Sequence, residues 1–277
     1  MRKLTVLSIQ SEVVRGHVGN GAARFALQRL SVDVWAVPTV LLSNHPGHGK
    51  FRGEALAAAK MGELIAGLDL NGWLSECDAV LSGYLGAAEQ ARVVADAVRR
   101  VKALNPRALY LCDPVFGDDD GAYARPGVAE AMARELLPLA DIVTPNRFEL
   151  SSLTSQKITD AASARAAARL LGKAETLVTS VPFDGGRVGT IAATAEGAWA
   201  TAAARIERVP NGSGDLFAAL YLAHRLTGDS PSAALGRASS AVDGILRGSE
   251  GADEIRLIEH QAEIAAPSRA LAVDLVR

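Results

Sequence analysis

"CDAVLSGYLGAAEQARVVADAVRRVKALNPRALYLCDPVFGD", residues 77–118, decides the fold class. Residues 79–82 and 108–112 are short apolar runs, and the alanine-rich stretch between them at 87–104 is helical in pattern. Strand, helix and strand in that order make a βαβ unit, whose two strands lie parallel. Working outward, strand patterns at 4–9, 33–38, 141–144 and 176–180 alternate with helical stretches at 22–30, 55–68 and 161–171. The chain is therefore expected to be α/β with a mainly parallel central sheet. Ligands of such sheets gather at the carboxyl ends of the strands. Those ends fall at Gln10 and Ser11, at 82–84, at Asp113, at 144–146, and at Thr179 and Ser180.

Beyond Ser180 the pattern changes. "RVGTIAATAEGAWATAAAR" (187–205) has two strand-like halves around Glu196 and Gly197, a hairpin signal, and helices follow at 213–226 and 231–247. With no internal repeat, low-complexity tail or linker, one domain over 1–277 is expected.

Composition narrows the function. The 277 residues are 49% hydrophobic and 22% charged, ordinary for a soluble globular protein, and carry a net charge of −2 with no basic tract. Nucleic acid and anionic membrane are poor partners for such a surface. Aromatics at 5% argue against binding surfaces built from stacked rings. Two cysteines, Cys77 and Cys112, can build neither a metal cluster by themselves nor a disulfide framework, and their apolar neighbours predict buried thiols. "MRKLTVLSIQS" reads as a first strand rather than a signal peptide, because its apolar run meets Gln10 and Ser11 quickly. No segment approaches a membrane span, so a cytoplasmic protein is expected.

The chemistry concentrates in four places. In "NGSGDLFAALYLAH" (211–224), Gly212, Ser213 and Gly214 strip bulk from the start of an apolar helix, and Asp215 follows at once. Backbone N–H groups at a helix start favour a phosphate, and an adjacent acid can take the proton of an attacking hydroxyl. A plain helix cap explains Asp215 equally well from this stretch alone. No G-x-x-x-x-G-K-[ST] loop occurs in the chain.

In "CDPVFGDDDGAYARPG" (112–127), Asp113 ends a buried strand, where a carboxylate needs a partner or a cation. Asp118, Asp119 and Asp120 form an acidic loop before Tyr123; hard oxygens near a phosphate suit magnesium, but Asp119 and Asp120 read better as solvated charges. "ADIVTPNRFEL" (140–150) is strand-to-helix punctuation. Its Glu149 favours a helix start or helps hold a cation, and spacing does not decide between these. In "TVLLSNHPGHG" (39–49), His45 and His48 flank a proline and a glycine without a third ligand, so a zinc site is not expected and a loop is.

Together "SIQSEVVRGHVGN", "TVLLSNHPGHG", "LSGYLG", "CDPVFGD", "ADIVTPNRFEL" and "GSGDLFAA" resemble pyridoxal kinases of the ribokinase superfamily, in order and in approximate spacing, from about residue 4 to 246. The resemblance implies a three-layer α/β/α ribokinase-like kinase domain with helices on both faces of the sheet. It implies transfer of the γ-phosphate of ATP to the 5′-hydroxymethyl group of pyridoxal. Asp215 matches the catalytic base, and Gly212, Ser213 and Gly214 match the anion hole. Ser11, Val18, Val40, His45, Pro46 and Tyr84 fall at vitamin-pocket positions. Asp113, Asp118, Thr144, Asn146 and Glu149 fall near the phosphates and cations, with Asp113, Thr144 and Glu149 as metal-side residues. Tyr123 matches the tyrosine of a loop closing over ATP; Thr179, Ser180 and Asn211 lie on the nucleotide side. Magnesium, a monovalent cation such as potassium, and a homodimer are implied as well.

Three positions depart from the family pattern: Glu12 where histidine is usual, Pro46 where threonine is common, and Asn211 where an apolar residue is usual. They bear on which vitamer is preferred rather than on the reaction class. Two alternatives remain, a hydroxymethylpyrimidine kinase of the same fold and a non-catalytic vitamin B6 binder.

Overall fold

The computed structural model describes residues 3–276. From the N-terminal side, β1 (Leu4–Arg15), α1 (Asn20–Arg29) and β2 (Val32–Asn44) form the first parallel unit, followed by β3 (Gly53–Ala55) and α2 (Ala58–Leu70). Then come β4 (Ala79–Ser82), α3 (Gln90–Leu104) and β5 (Leu109–Cys112). A small flap of β6 (Gly117–Asp118) and β7 (Gly121–Ala122) precedes α4 (Val128–Ala131), β8 (Ile142–Val143), α5 (Arg147–Thr154), α6 (Ala161–Leu170) and β9 (Glu175–Phe183). The hairpin β10 (Arg187–Thr194) and β11 (Ala198–Ala204) leads to α7 (Ser213–Leu226), α8 (Pro231–Gly248), α9 (Ala262–Ala265) and β12 (Asp274–Leu275).

Among the described residues, ten strands make one sheet in the order β12-β11-β10-β9-β8-β5-β4-β1-β2-β3. From β2 to β9 every neighbouring pair is parallel, and the outer pairs are antiparallel. The alternation of apolar side chains along the strands builds two layers of core. Val6, Leu81, Leu111, Ile142 and Leu177 pack with α1, α7 and α8 on one face. Leu7, Val80, Tyr110 and Val143 meet α2, α3 and the helical stretch around Met132 on the other, and Val178 and Ile191 meet α5 and α6. This is the three-layer α/β/α architecture expected of the sequence.

β1 sits where the strand order reverses, with β2 on one side and β4 on the other, and the crevice above such a point is where open sheets bind ligands. β1 and β2 run well past the predicted 4–9 and 33–38. Their parallel register is Gln10↔Pro38 and then Glu12↔Leu41, so a bulge falls opposite Ser11. Pro38 has no N–H to give the ladder, and a bulge at that point re-aims side chains near the crevice. Residue 55, predicted as helical, belongs instead to β3, which closes antiparallel on β2. A Cβ at Gly53, whose φ is +120°, would lie 2.0 Å from the Leu41 carbonyl oxygen, so only glycine permits this approach.

Cys77 and Cys112 are free and buried, and burial pushes both thiols up to about 12, which leaves them unreactive near neutral pH.

Candidate active site

The glycine-flanked acid that the sequence singled out opens α7. Gly212 is its N-cap at φ +95°, and no side chain caps the first turn. The other long helices of the second half are capped: Asn146 caps α5, Asp160 caps α6 and Ser230 caps α8. The first N–H groups of α7 thus lack the side-chain oxygen that would normally take them. A Cβ at Gly214 would meet nothing within 4 Å, so the space before these N–H groups is open.

Asp215 does not cap its own helix. Its Oδ2 accepts the backbone N–H of Gly19 at 2.8 Å, from a turn 196 residues away in sequence. Burial pushes its carboxyl up to about 6, and the Gly19 hydrogen bond pulls the other way. The 16–19 turn is fitted tightly between β1 and the glycine loop. A Cβ at Gly19 would lie 2.2 Å from Ser11 Oγ, and one at Gly212 would lie 2.1 Å from the His17 carbonyl oxygen and 3.2 Å from Val18 Cγ1. Ser11, Val18, Gly212 and Asp215 are therefore brought together around one turn.

Behind the turn, a buried polar network holds β1 and α1 in register. Ser8 Oγ donates to Asn20 Oδ1 at 2.8 Å, and Asn20 Nδ2 donates to the carbonyls of Gln10 and Val37. Gln10 Nε2 donates to Ser8 Oγ at 2.9 Å. On the far side of β2, Thr39 Oγ1 donates to the Tyr84 carbonyl at 2.7 Å. Gln90 ties Thr39, Leu56 and Gly86 together. Val40 packs against Gly86, where a Cβ would lie 2.5 Å from Val40 Cγ1, and this seats the Tyr84 loop beside β2. Burial raises the Tyr84 phenol and the nearby Arg125 charge lowers it, so Arg125 stands close to this loop.

The second group of acids lies at the ends of β5 and β8. Asp113 is buried and accepts Thr144 Oγ1 at 2.8 Å. Burial first, and then the charge of Asp215, push its carboxyl up to about 8. Glu149 is buried and closes the cap of α5: its carboxylate accepts the N–H groups of Asn146 at 2.8 Å and Phe116 at 3.1 Å. Burial and the charge of Asp113 raise it well above the usual carboxylate range. The helix-start reading of Glu149 is thus realised. Asn146 also donates to the Gly117 carbonyl at 2.7 Å and bridges to Thr179. Tyr123 stands half-buried on the loop after β7, and its phenol is raised by that partial loss of water and then by Glu149, Asp215, Asp118 and Asp113.

The other candidates lie around these groups. Asp118 accepts the Asp120 N–H, and Asp119 pairs with Arg147 at 2.5 Å. Ser180 is exposed at φ +60° in a bulge of β9. Asn211 lies against the loop at 45–49, its Nδ2 3.1 Å from where a Gly47 Cβ would be. In that loop His45 Nδ1 accepts the Gly47 N–H at 3.1 Å and Pro46 starts a short 3₁₀ turn. Burial, and then the charge of His48, lower the His45 imidazole, which favours its neutral form. Glu12 pairs with Arg24 of α1 at 3.3 Å, so the charge introduced by this departure is answered within the chain. A hollow of about 450 Å³ lined by Asp78, Arg107 and Arg225 opens at the opposite ends of the strands and holds none of the candidate residues.

Sequence reasoning missed Gly19, Asn20, Thr39 and Gln90, and it named Gln10 only as a strand end. Gly19 and Asn20 lay inside a quoted motif, but their partners are in strands and loops far along the chain. Only a polar residue in an otherwise apolar strand, as at Ser8 and Gln10, carried a signal.

The donor set fits a magnesium ion accompanied by phosphates. Two buried carboxylates, Asp113 and Glu149, repel each other and are forced toward their neutral forms in the absence of positive charge. Among the described residues no group of three or more His, Cys, Asp or Glu could cage a metal. Magnesium takes few protein carboxylates and completes its shell with phosphate and water, as such a site requires.

The same burial makes a stability prediction. Asp113 shifts from 3.8 in the unfolded chain to about 8 when folded without ligand. Its contribution is full below the unfolded value and is lost as pH rises toward about 8, because the folded state resists ionisation. Asp113→Asn should therefore raise the melting midpoint at pH 8 by several degrees and leave it unchanged at pH 3. Calorimetry at the two pH values checks this.

Comparison with known proteins agrees with the geometry. A family model described as phosphomethylpyrimidine kinase matches residues 72–257. The chain is 44% identical to pyridoxal kinase PdxY of Rubrobacter xylanophilus, over 95% of this chain and 94% of the relative. It is 43% identical to pyridoxal kinase PdxY of Burkholderia mallei, over 95% of each. Among solved structures it is similar to pyridoxal kinase from Leishmania donovani in complex with ADP and pyridoxamine, with a TM-score of 0.93, 31% identity and 99% of each chain covered. Pyridoxal kinase from Entamoeba histolytica gives a TM-score of 0.92 at 26% identity over 100% of each chain.

Proposed function

The chain belongs to the pyridoxal kinase family, and from that premise we propose that it transfers the γ-phosphate of ATP to the 5′-hydroxyl of pyridoxal, with pyridoxamine and pyridoxine as further acceptors. The observation that carries this reading is Asp215 itself: a carboxylate at the start of an uncapped helix, fixed by a distant N–H and not used to cap the helix.

In the reaction, Asp215 takes the proton of the vitamin's 5′-hydroxyl as that oxygen bonds to the γ-phosphorus. The bond from the γ-phosphorus to its bridging oxygen breaks, and the electron pair leaves on ADP. The N–H groups opening α7 face the transferring group and meet the charge on its oxygens. Ser11, Val18, Val40, His45 and Tyr84 line the vitamin side. Thr179, Asn146 and Tyr123 line the nucleotide side, with Asn211 between the two. Asp113, Thr144 and Glu149 would hold magnesium through its phosphate and water shell; when bound it supplies charge neutralisation on the phosphates. The loop at 45–49 and the flap at 117–122 would exclude water.

The continuous sheet supports reading 1–277 as one kinase domain, and a monovalent cation beside magnesium belongs to the same reading. So does a homodimer, for which Val14 (81% exposed) and Leu41 (52%) on the projecting β1 and β2 offer an apolar face; sedimentation at the mass of one chain overturns it. Among the described residues no helix is long and apolar enough to cross a membrane, and we read the protein as cytoplasmic.

The phosphomethylpyrimidine kinase match favours a rival substrate of similar shape. A panel of pyridoxal, pyridoxamine, pyridoxine and hydroxymethylpyrimidine with ATP and magnesium, with and without potassium, separates the two. Pyridoxal 5′-phosphate formation with little turnover of the pyrimidine is expected. Pyrimidine turnover without pyridoxal turnover supports the rival, and pyridoxal binding without product supports a binder.

A further inference from the structure

Glu254 stands outside every motif, in the segment between α8 and α9, yet it touches two parts of the site. The chain that follows it is anchored. Ile255 and Leu257, one and three residues on, are buried in the core with residues of α1, α7 and α8. The backbone N–H of Arg256 donates to Ser249 Oγ at 2.9 Å, and that hydroxyl donates to the Ile245 carbonyl at 2.7 Å. These contacts anchor the backbone that carries the Glu254 carboxylate at the rim of the crevice.

Two basic side chains from different elements converge on one of its oxygens. Arg15 Nη1, at the end of β1, lies 2.9 Å from Glu254 Oε1. His48 Nε2, in the vitamin-side loop, lies 3.2 Å from the same atom and pairs as an ion when its ring is protonated. Oε1 is buried and takes no aligned hydrogen bond, so its attraction to the Arg15 guanidinium and its contact with the His48 ring hold it. The carboxylate also rests on Gly16, at φ +112°, where a Cβ would lie 3.2 Å from Oε1. Gly16 begins the turn whose Gly19 N–H holds Asp215 and whose His17 carbonyl packs on Gly212. From the other side, Gly47 of the His48 loop packs on Asn211, directly before the glycine loop.

We propose that Glu254 is a positioning residue for phosphoryl transfer: by binding Arg15 and His48 together, it couples the seating of the 45–49 loop over the vitamin to the 16–19 turn that orients Asp215. Its substrate side rests on the kinase reading above, whereas the tether is a property of the fold alone. Arg15 and His48 sit on separate elements, so losing the carboxylate frees both the loop and the turn. Ion pairs at this partial exposure are individually modest. The effect is expected through geometry rather than through stability.

The experiment uses the full chain, with Glu254→Gln, Glu254→Asp and His48→Gln beside the unsubstituted protein. Amide hydrogen exchange is read first, since it needs no turnover. Glu254→Gln should speed exchange at 45–49 and at 16–19, and His48→Gln at 45–49 alone. In kinetics, Glu254→Gln should raise KM for pyridoxal by about three- to tenfold, with KM for ATP unchanged. Glu254→Asp should recover part of that loss, and the melting midpoint should stay within a few degrees. Unchanged exchange in both segments overturns the tether. Faster exchange without a change in KM for pyridoxal, or equal losses toward both substrates, overturns the positioning role. If the unsubstituted protein does not phosphorylate pyridoxal, the kinase reading fails, while the exchange result still decides the tether. If Glu254→Gln does not fold, His48→Gln decides it by the same exchange readout at 45–49.

Discussion

Asp215→Asn is expected to lower kcat by ~10²–10⁴-fold while the protein stays folded, because the amide keeps its shape but cannot take the proton of the 5′-hydroxyl. The amide oxygen can still accept the Gly19 N–H that positions Asp215 Oδ2, so the 16–19 turn has no reason to move. The pH profile supplies an independent check. Burial lifts the Asp215 carboxyl to about 6, so kcat/KM of the native enzyme should fall as pH drops through that region and the base takes up a proton. In the Asn variant this acid limb should disappear from the residual rate. Stopped-flow and steady-state rates between pH 5 and 8 test both statements. A variant that forms product at the native rate removes Asp215 from the mechanism.

Gly212→Ala should be comparably severe for a different reason. The residue sits at φ +95°, which costs a side chain about 1–2 kcal/mol. The new Cβ would also lie 2.1 Å from the His17 carbonyl oxygen, a backbone atom that cannot rotate away. Ordinary contact needs about 3.5 Å, so loop and turn must separate by roughly 1 Å or more. That displaces the N–H groups opening α7 relative to Asp215, and a misplacement of this size costs about 10²-fold in rate. The loss should appear in kcat, with a lowered melting midpoint beside it. Gly214→Ala makes the control: its Cβ meets nothing in the protein, so the fold should be untouched and any loss should come from crowding the phosphate.

These two residues differ in how legible they were. The acid and the glycines before α7 stand out in the sequence because composition and helix pattern meet there. A cap and a catalytic site are written with the same letters, however. The fold adds what the letters lack: the carboxylate's hydrogen bond goes to a donor in another turn of the fold and not to its own helix. Glu149 was ambiguous in the same way, and there the capping contact is made, beside a second one to Phe116. Asn211 was placed on the nucleotide side by the family resemblance, and the fold adds a neighbour the sequence did not show, Gly47. Glu254 gave no sequence signal at all, because an isolated acid between helices looks like solvated surface.

By itself the sequence determined the alternation of strand and helix, hence the parallel sheet with its ligand edge, since both follow from local periodicity. It also determined the composition of the site: glycines at a helix start, acids at strand ends, and the family those motifs resemble. What tertiary structure alone decided was the length of β1 and β2 beyond their apolar runs, the bulge opposite Ser11, and the partners of every buried polar group. A hydrogen bond between Gly19 and Asp215, or an ion pair joining Arg15 and His48 through Glu254, links positions that no local pattern connects. Burial then fixes how strongly each charge is felt. The pairing partner and the loss of water are both properties of the assembled crevice, and they set Asp215 near 6 and Asp113 near 8.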